Sequence, residues 1–135
     1  MKEATFNLNI SKLVTGPAAL KSAAGLPFEP IKNHVLGPKY QLNLNLITPA
    51  ESKKLNLKYR AKNHSTDILS FPLSKDEGEI YLDLKTSATE AVKFDRPFEN
   101  FLLFLFIHGL FHLKGLDHGA KMEKLEVTCR RHFQI

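Results

Sequence analysis

Three histidines near the C-terminal end of the chain, His108, His112 and His118, have the spacing of a catalytic zinc site. On a helix the imidazoles of His108 and His112 lie on one face, roughly 6 Å apart along the axis, and can converge on one ion. His118 joins them only if the helix ends first, and Gly115 tolerates the left-handed turn that this requires. The spacing predicts one tetrahedral zinc ion with three imidazole ligands and a fourth position open to water.

Such a zinc ion keeps its double charge and lowers the pKa of a bound water towards neutrality, which is the chemistry of a hydrolase. The same spacing occurs in metzincin proteases, where a glutamate base follows the first histidine. Gly109 stands at that position here, which disfavours peptide hydrolysis because the amine leaving group lacks a proton carrier. A phosphodiester makes a different demand, since a cation and an arginine stabilise the charge on its phosphoryl oxygens.

Arg60 is the residue that we expect to stabilise this charge, because a guanidinium matches the geometry of phosphate oxygens. It lies in the densest basic stretch before the histidines, which also contains Lys53, Lys54, Lys58 and Lys62. The alternative interpretation is that these cations are solvated and stabilise the C-terminal end of a helix.

Two further residues near the histidines have alternative roles. Asp117 is expected either to orient a ligand imidazole or to cap the helix that follows. Cys129, the only cysteine, would close the zinc site if it were a fourth ligand. Its position in an apolar helical stripe instead favours a small buried residue.

Alternating apolar residues predict four strands, at residues 6–10, 42–46, 66–73 and 78–84. Pro72 should end the third strand or place it at a sheet edge, because proline cannot donate to the ladder. Thr48, Pro49 and Glu51 predict the start of a helix that runs to about Arg60. Its predicted inner face contains Leu55 and Tyr59.

The remaining helices are predicted from capping residues and apolar periodicity. Short helical pieces are expected within residues 16–38, the clearest over residues 30–36, and a capping box of Ser87 and Glu90 should open another helix. The histidine helix follows residues 95–97, and the last helix has an apolar stripe of Met122, Leu125, Cys129 and Phe133. Strands before helices predict one α+β domain over residues 1–135, with four strands and about five helices.

Composition is that of an ordinary globular protein with a basic surplus. The 135 residues are 43% hydrophobic and 24% charged, and the net charge is +5. This charge favours a polyanionic partner such as nucleic acid. The lone cysteine and the absence of a signal-peptide pattern predict a cytoplasmic protein, and no apolar run is long enough to span a membrane.

Two blocks of sequence resemble the YbeY family, the bacterial metal-dependent endoribonucleases of ribosomal RNA maturation. The first block is Leu57–Lys62 with Thr66–Pro72 close behind it. The second is His108–His118, including the glycine after the first histidine. The resemblance implies a mixed β-sheet surrounded by helices, with a zincin-like site of three histidines.

The resemblance also implies roles for individual residues. One Zn²⁺ would be bound by His108, His112 and His118, and Arg60 would be the functionally important arginine. Lys58 and Lys62, in the same basic stretch, are expected to contact RNA. The implied activity is cleavage of single-stranded RNA in 16S ribosomal RNA 3′-end maturation and ribosome quality control. Implied partners are ribosomal RNA, proteins of the small ribosomal subunit and the GTPase Era, with the chain itself a monomer.

Two alternatives to a zinc endoribonuclease are open from the sequence. One is a metzincin-like hydrolase of peptides, which the histidine spacing supports and Gly109 disfavours. The other is a ribosome assembly factor without catalytic activity, in which the zinc ion is structural.

Overall fold

The structure, a computed structural model, describes residues 5–16 and 22–135. Within these residues four strands form one mixed sheet, in the order β1–β2–β4–β3. The strands are β1 (Phe6–Ile10), β2 (Gln41–Ile47), β3 (Ile68–Ser74) and β4 (Glu77–Asp83). Strands β1 and β2 pair in parallel, as do β2 and β4, whereas β3 runs antiparallel to β4.

Five helices with defined bounds accompany the sheet in the described residues. They are α1 (Phe28–Leu36), α2 (Pro49–Arg60), α3 (Leu84–Lys93), α4 (Phe98–Leu113) and α5 (Ala120–Phe133). Residues 22–24 are also helical, and the rest of the expected helical pieces at residues 17–21 lies outside the described residues. The predicted α+β class with a four-stranded mixed sheet is confirmed. None of the helices in the described ranges is long and apolar enough to cross a membrane.

The core lies between one face of the sheet and helix α4. Leu44 of β2 and Ile80 of β4 are completely buried on this face. Phe106, Ile107 and most of the other central residues of α4 are buried as well, so this apolar helix is enclosed by the rest of the fold. The helix that carries His108 and His112 is therefore packed into the core of the fold.

Helix α2 lies across the other face of the sheet, and its buried side is polar. The prediction that Leu55 and Tyr59 lie on the inner face is wrong for Tyr59, which is 57% exposed, whereas Leu55 is half-buried. The fully buried residues of α2 are Ser52 and Asn56. The Ser52 hydroxyl donates to the carbonyl oxygen of Thr66 at 2.7 Å and accepts from the Thr66 amide at 2.9 Å. Because these bonds occupy the backbone of Thr66, strand β3 begins at Ile68 rather than at the predicted residue 66.

The two predicted capping boxes have different outcomes. Thr48 and Glu51 cap α2 reciprocally, as predicted. The capping box of Ser87 with a glutamate is wrong, because α3 begins at Leu84 and Asp83 is its N-cap residue. The Asp83 carboxylate accepts from the Thr86 amide at 2.9 Å, and Ser87 lies buried in the following turn. The helix starts directly after β4 because aspartate is itself a strong N-cap residue.

Strand β3 is an edge strand, as Pro72 predicted, and α4 packs closely against its inner side. Gly109 makes this approach possible. A Cβ atom at Gly109 would lie 2.8 Å from the Ser70 Oγ, 2.9 Å from the Ile68 Cδ1 and 3.1 Å from the Ile80 Cδ1. The glycine after the first histidine is therefore required by packing between α4 and β3.

Replacing Gly109 by alanine is expected to lower the free energy of unfolding by about 1–3 kcal/mol, because the Ser70 and Ile68 side chains must shift to admit the methyl group. Urea denaturation followed by circular dichroism measures this change. The sign of the change in the free energy of unfolding distinguishes close packing from open space, since the same substitution at an open helical position would stabilise the protein by about 1 kcal/mol. A gain in stability would contradict the close packing.

Candidate metal centre

The three histidines converge at the C-terminal end of α4. His108 and His112 lie one helical turn apart, and the helix ends at Leu113. Gly115 then adopts a φ of +94°, the left-handed turn that the sequence predicted, and its amide donates to the His112 carbonyl oxygen at 2.9 Å. The turn brings His118 back, so that its ring centroid lies 5.0 Å from that of His108 and 4.6 Å from that of His112.

The donor set fits a single metal ion. One ligand nitrogen from each histidine lies within 4.8 Å of the other two. The Nε2 atoms of His108 and His112 are 3.1 Å apart. Two imidazole nitrogens on one tetrahedral zinc ion are expected about 3.3 Å apart, given Zn–N distances of about 2.0–2.1 Å. Three imidazoles suit zinc, although nickel and copper accept the same ligands.

The surroundings favour the neutral imidazole that a metal ion requires. Burial lowers the pKa of His112, and the neighbouring His108 and His118 lower it further. His112 therefore remains deprotonated to a lower pH than a solvated histidine, which leaves a lone pair for a cation.

A residue that the sequence analysis missed, Glu126, holds the first histidine in place. Its Oε1 lies 2.9 Å from the His108 Nδ1, and Glu126 is only 8% exposed. The carboxylate directs the other ring nitrogen, Nε2, towards His112. A sequence signal for Glu126 existed, since it lies four residues after Met122 and three before Cys129 on the buried side of α5. Leu125, predicted on that side, is 38% exposed.

Neither Asp117 nor Cys129 belongs to the group of side chains that can bind the ion. Asp117 is exposed, and its predicted capping role is wrong because α5 begins after Gly119 without a side-chain cap. Cys129 is 2% exposed, and burial raises the pKa of its thiol to about 11. A thiol with this pKa is a poor source of the thiolate that zinc prefers. Within the described residues, the group of side chains that can hold an ion consists of the three histidines.

The histidines form one wall of a cleft of about 480 Å³. The other lining residues are Arg60, at the end of α2, Thr66 and residues 68–72 of the edge strand β3. The structure therefore brings Arg60 and the three histidines to one cleft. Their separation in the sequence is 48 residues between Arg60 and His108, so this proximity depends entirely on the tertiary fold.

The loop after α2 sets the position of Arg60. Ala61 ends the helix in a left-handed conformation, with a φ of 55°, and the Lys62 amide donates to the Asn56 carbonyl oxygen at 3.2 Å. The Asn56 side chain in turn donates to the His64 carbonyl oxygen at 2.9 Å. The buried polar face of α2 therefore fixes the chain between Arg60 and β3. Lys58 and Lys62 are exposed beside this loop, and neither lines the cleft.

The chain matches known proteins along most of its length. The model of the family described as Endoribonuclease YbeY matches residues 21–133. Endoribonuclease YbeY of Alkaliphilus metalliredigens is 33% identical over 109 residues, which cover 73% of this chain and 70% of that protein. Endoribonuclease YbeY of Malacoplasma penetrans is 36% identical over 114 residues, which cover 79% and 72% respectively.

A solved structure is similar to this chain over most of its length. The solution structure of TM1509 from Thermotoga maritima superimposes with a TM-score of 0.62 at 30% sequence identity. The superposition covers 90% of this chain and 85% of the Thermotoga protein. The family match, the similar relatives and the shared fold confirm the resemblance drawn from the two sequence blocks. The chain therefore belongs to the endoribonuclease YbeY family.

Proposed function

We propose that this chain is a zinc-dependent endoribonuclease that cleaves single-stranded RNA. The observation that carries the proposal is the shared cleft, which is lined by the three imidazoles, by Arg60 and by residues 68–72 of β3. In the proposed assignment His108, His112 and His118 bind the ion, and Arg60 binds the phosphodiester. Membership in the endoribonuclease family and the net charge of +5 support RNA as the substrate.

Each residue has a distinct part in the proposed mechanism. A divalent cation bound by the histidines supplies positive charge for the phosphoryl oxygens and acidity for water. Glu126 keeps His108 in the orientation that binding requires. The Arg60 guanidinium donates to two phosphate oxygens and stabilises the charge that they gain in the transition state.

The packing of Gly109 supports a phosphodiester rather than a peptide as the substrate. The missing Cβ of Gly109 points at Ser70, Ile68 and Ile80, so this position faces β3. A glutamate base in the manner of metzincin proteases therefore has no room at residue 109. A sugar hydroxyl leaves more readily than an amine and depends less on such a proton carrier.

The family resemblance also suggests a cellular role and partners for the chain. We propose that residues 1–135 form one cytoplasmic, monomeric domain that acts in 16S ribosomal RNA 3′-end maturation and in ribosome quality control. Ribosomal RNA, small-subunit proteins and the GTPase Era are the proposed partners. A peptide hydrolase and a ribosome assembly factor with structural zinc are the alternatives that the experiment below tests.

The experiment compares one end-labelled RNA as a single strand and as a duplex, with and without a chelator. We expect the zinc-loaded protein to cleave the single strand, to leave the duplex largely intact and to lose activity with the chelator. Mapping the product ends decides the nucleophile, since attack by the RNA 2′-hydroxyl leaves a cyclic phosphate. Hydrolysis of an unstructured peptide with both RNAs intact would favour the peptidase. Zinc binding with both substrates intact would favour the assembly factor.

Replacing Glu126 by glutamine is expected to weaken zinc binding about 10- to 100-fold, because the amide no longer holds the His108 ring as a charged acceptor. Competition with a chromophoric chelator measures the affinity. Glu99→Gln is the matched control, since Glu99 is an exposed glutamate in the first turn of α4. Equal zinc affinities of the Glu126 variant and the original protein would contradict the proposed orienting contact.

We propose Lys58 and Lys62 as contacts to RNA phosphates outside the cleft, because both are exposed beside Arg60. Replacing either lysine by alanine should weaken binding of every sequence alike. The slope of log affinity against log salt concentration should fall by about 0.7 per lost contact. Fluorescence anisotropy over a series of salt concentrations measures this slope, with Lys124→Ala of α5 as the control. Unchanged slopes for both variants would remove these lysines from the interface.

A further inference from the structure

Three aromatic side chains form a continuous surface next to the cleft, on the outer side of the sheet edge. We call this surface, made of Tyr59, Phe71 and Tyr81, the aromatic edge. The ring centroids of Tyr59 and Phe71 are 5.1 Å apart, and those of Phe71 and Tyr81 are 5.8 Å apart. Tyr59 packs against Phe71 on one side, and 57% of its surface is exposed to solvent.

The register of the sheet places the aromatic edge opposite the histidine helix. Ser70 pairs with Ile80 and faces α4, as its approach to Gly109 shows. Phe71, the next residue of β3, therefore faces the other side, where α2 lies. Since β3 is the edge strand, no further strand of the described residues separates the two sides. A chain that follows the cleft can pass directly over this edge.

Two cations lie beside Tyr59 where the aromatic edge meets the cleft, and one carboxylate, Glu79, accepts a hydrogen bond from the Tyr81 hydroxyl at 3.4 Å. Phe71 itself lines the cleft together with Arg60, the residue that follows Tyr59 in α2. The Lys58 Nζ lies 5.0 Å from the centroid of the Tyr59 ring. An exposed tyrosine beside two cations, next to a half-buried phenylalanine that lines the cleft, matches a single-stranded nucleic acid, whose phosphates pair with the cations while its bases stack on the rings.

We propose that Tyr59 and Phe71 stack on an unpaired RNA base next to the phosphodiester bound by Arg60. This inference rests on the proposed function and deepens it. In a duplex the faces of each base are covered by neighbouring base pairs, whereas an unpaired base is free to stack on an aromatic side chain. The aromatic edge would therefore select single strands, and it would do so with little preference for sequence.

Binding of a short, 5′-fluorescein-labelled single-stranded RNA to chelator-treated protein tests the proposal without interference from cleavage. We expect Tyr59→Leu to weaken binding about tenfold, because leucine keeps apolar bulk but cannot stack as a ring does. Tyr59→Phe should bind within about twofold of the original protein, since it keeps the ring. Phe94→Leu is the matched control, as Phe94 is 54% exposed but packs against Phe101, away from the cleft.

A series of RNAs that each lack one base identifies the stacked position. In the original protein one abasic position should cost about tenfold in affinity, and Tyr59→Leu should remove most of that penalty. The chain contains no tryptophan, so Tyr59→Trp introduces a single indole whose fluorescence should be quenched by RNA. A merely structural role of Tyr59 would produce neither the position-specific penalty nor the quenching.

Unchanged affinity of Tyr59→Leu, or an equal abasic penalty in both proteins, would overturn the stacking proposal. This failure is separate from a failure of the proposed function. If the original protein cleaves RNA and Tyr59→Leu binds it equally well, the nuclease assignment stands and the aromatic edge faces another partner, such as a protein. If the abasic penalty is found but zinc-loaded protein leaves RNA intact, stacking stands and the nuclease assignment fails.

Discussion

Replacement of His112 by alanine is expected to lower the rate of RNA cleavage by at least about 1000-fold, because a metal ion contributes several kcal/mol to transition-state stabilisation. His112 is the middle ligand, with its ring 4.6 Å from each of the other two. Without it the remaining pair of imidazoles cannot hold an ion tightly. The two measurements are zinc content per chain after dialysis and the cleavage rate of single-stranded RNA.

His132→Ala is the control for this variant. His132 is an exposed histidine at the end of α5 that stacks on His34, with ring centroids 4.5 Å apart. The His132→Ala protein is expected to bind zinc and to cleave RNA like the original protein. Because His112 is only half-buried, its alanine variant should retain the circular dichroism spectrum of the original protein. A folded His112→Ala protein that cleaves RNA at the original rate would refute the assignment of the metal centre.

Replacement of Arg60 by alanine is expected to lower the rate of cleavage about 100- to 1000-fold, the usual effect of losing one positioned donor to a developing negative charge. Zinc binding should not change, because the histidines supply the ligand atoms and a guanidinium has no lone pair to offer a cation. Arg60→Lys should recover only part of the rate, since an ammonium keeps the charge but not the two parallel hydrogen bonds. Single-turnover rates on single-stranded RNA measure both effects.

Arg131→Ala, an exposed arginine at the end of α5, serves as the control for the loss of one positive charge. The kinetic pattern distinguishes catalysis from binding. A lower kcat at saturating RNA indicates that Arg60 acts in the transition state. A higher KM with unchanged kcat would instead make Arg60 an RNA-binding residue, and no change in either would remove it from the site.

The features that were predicted correctly from the sequence depend on residues close to one another along the chain. Helical periodicity alone places His108 and His112 on one face, and the conformational freedom of glycine at Gly115 explains why His118 can return to them. Pro72 marked the edge strand for an equally local reason, its missing amide proton. The capping box of Thr48 and Glu51 was predicted because both partners lie within one turn.

The parts that sequence missed depend on partners far along the chain. Glu126 meets His108 across 18 residues, and a glutamate on a helix is ordinarily assigned to solvent. Ser52 and Asn56 face inward because the backbone of the loop before β3 needs hydrogen-bond partners. A prediction from apolar periodicity cannot detect a buried polar face, and for this reason Tyr59 was predicted to lie in the interior.

X-ray absorption spectroscopy of the zinc-loaded protein tests the central claim most directly, namely that three imidazoles bind one ion and leave a position for water. We expect one zinc ion per chain, three imidazole nitrogens at about 2.0 Å from it and a fourth ligand that is an oxygen. His112→Ala should lose this spectrum. A sulfur scatterer at about 2.3 Å, which would have to come from Cys129, or fewer than three imidazoles around the ion would contradict the account.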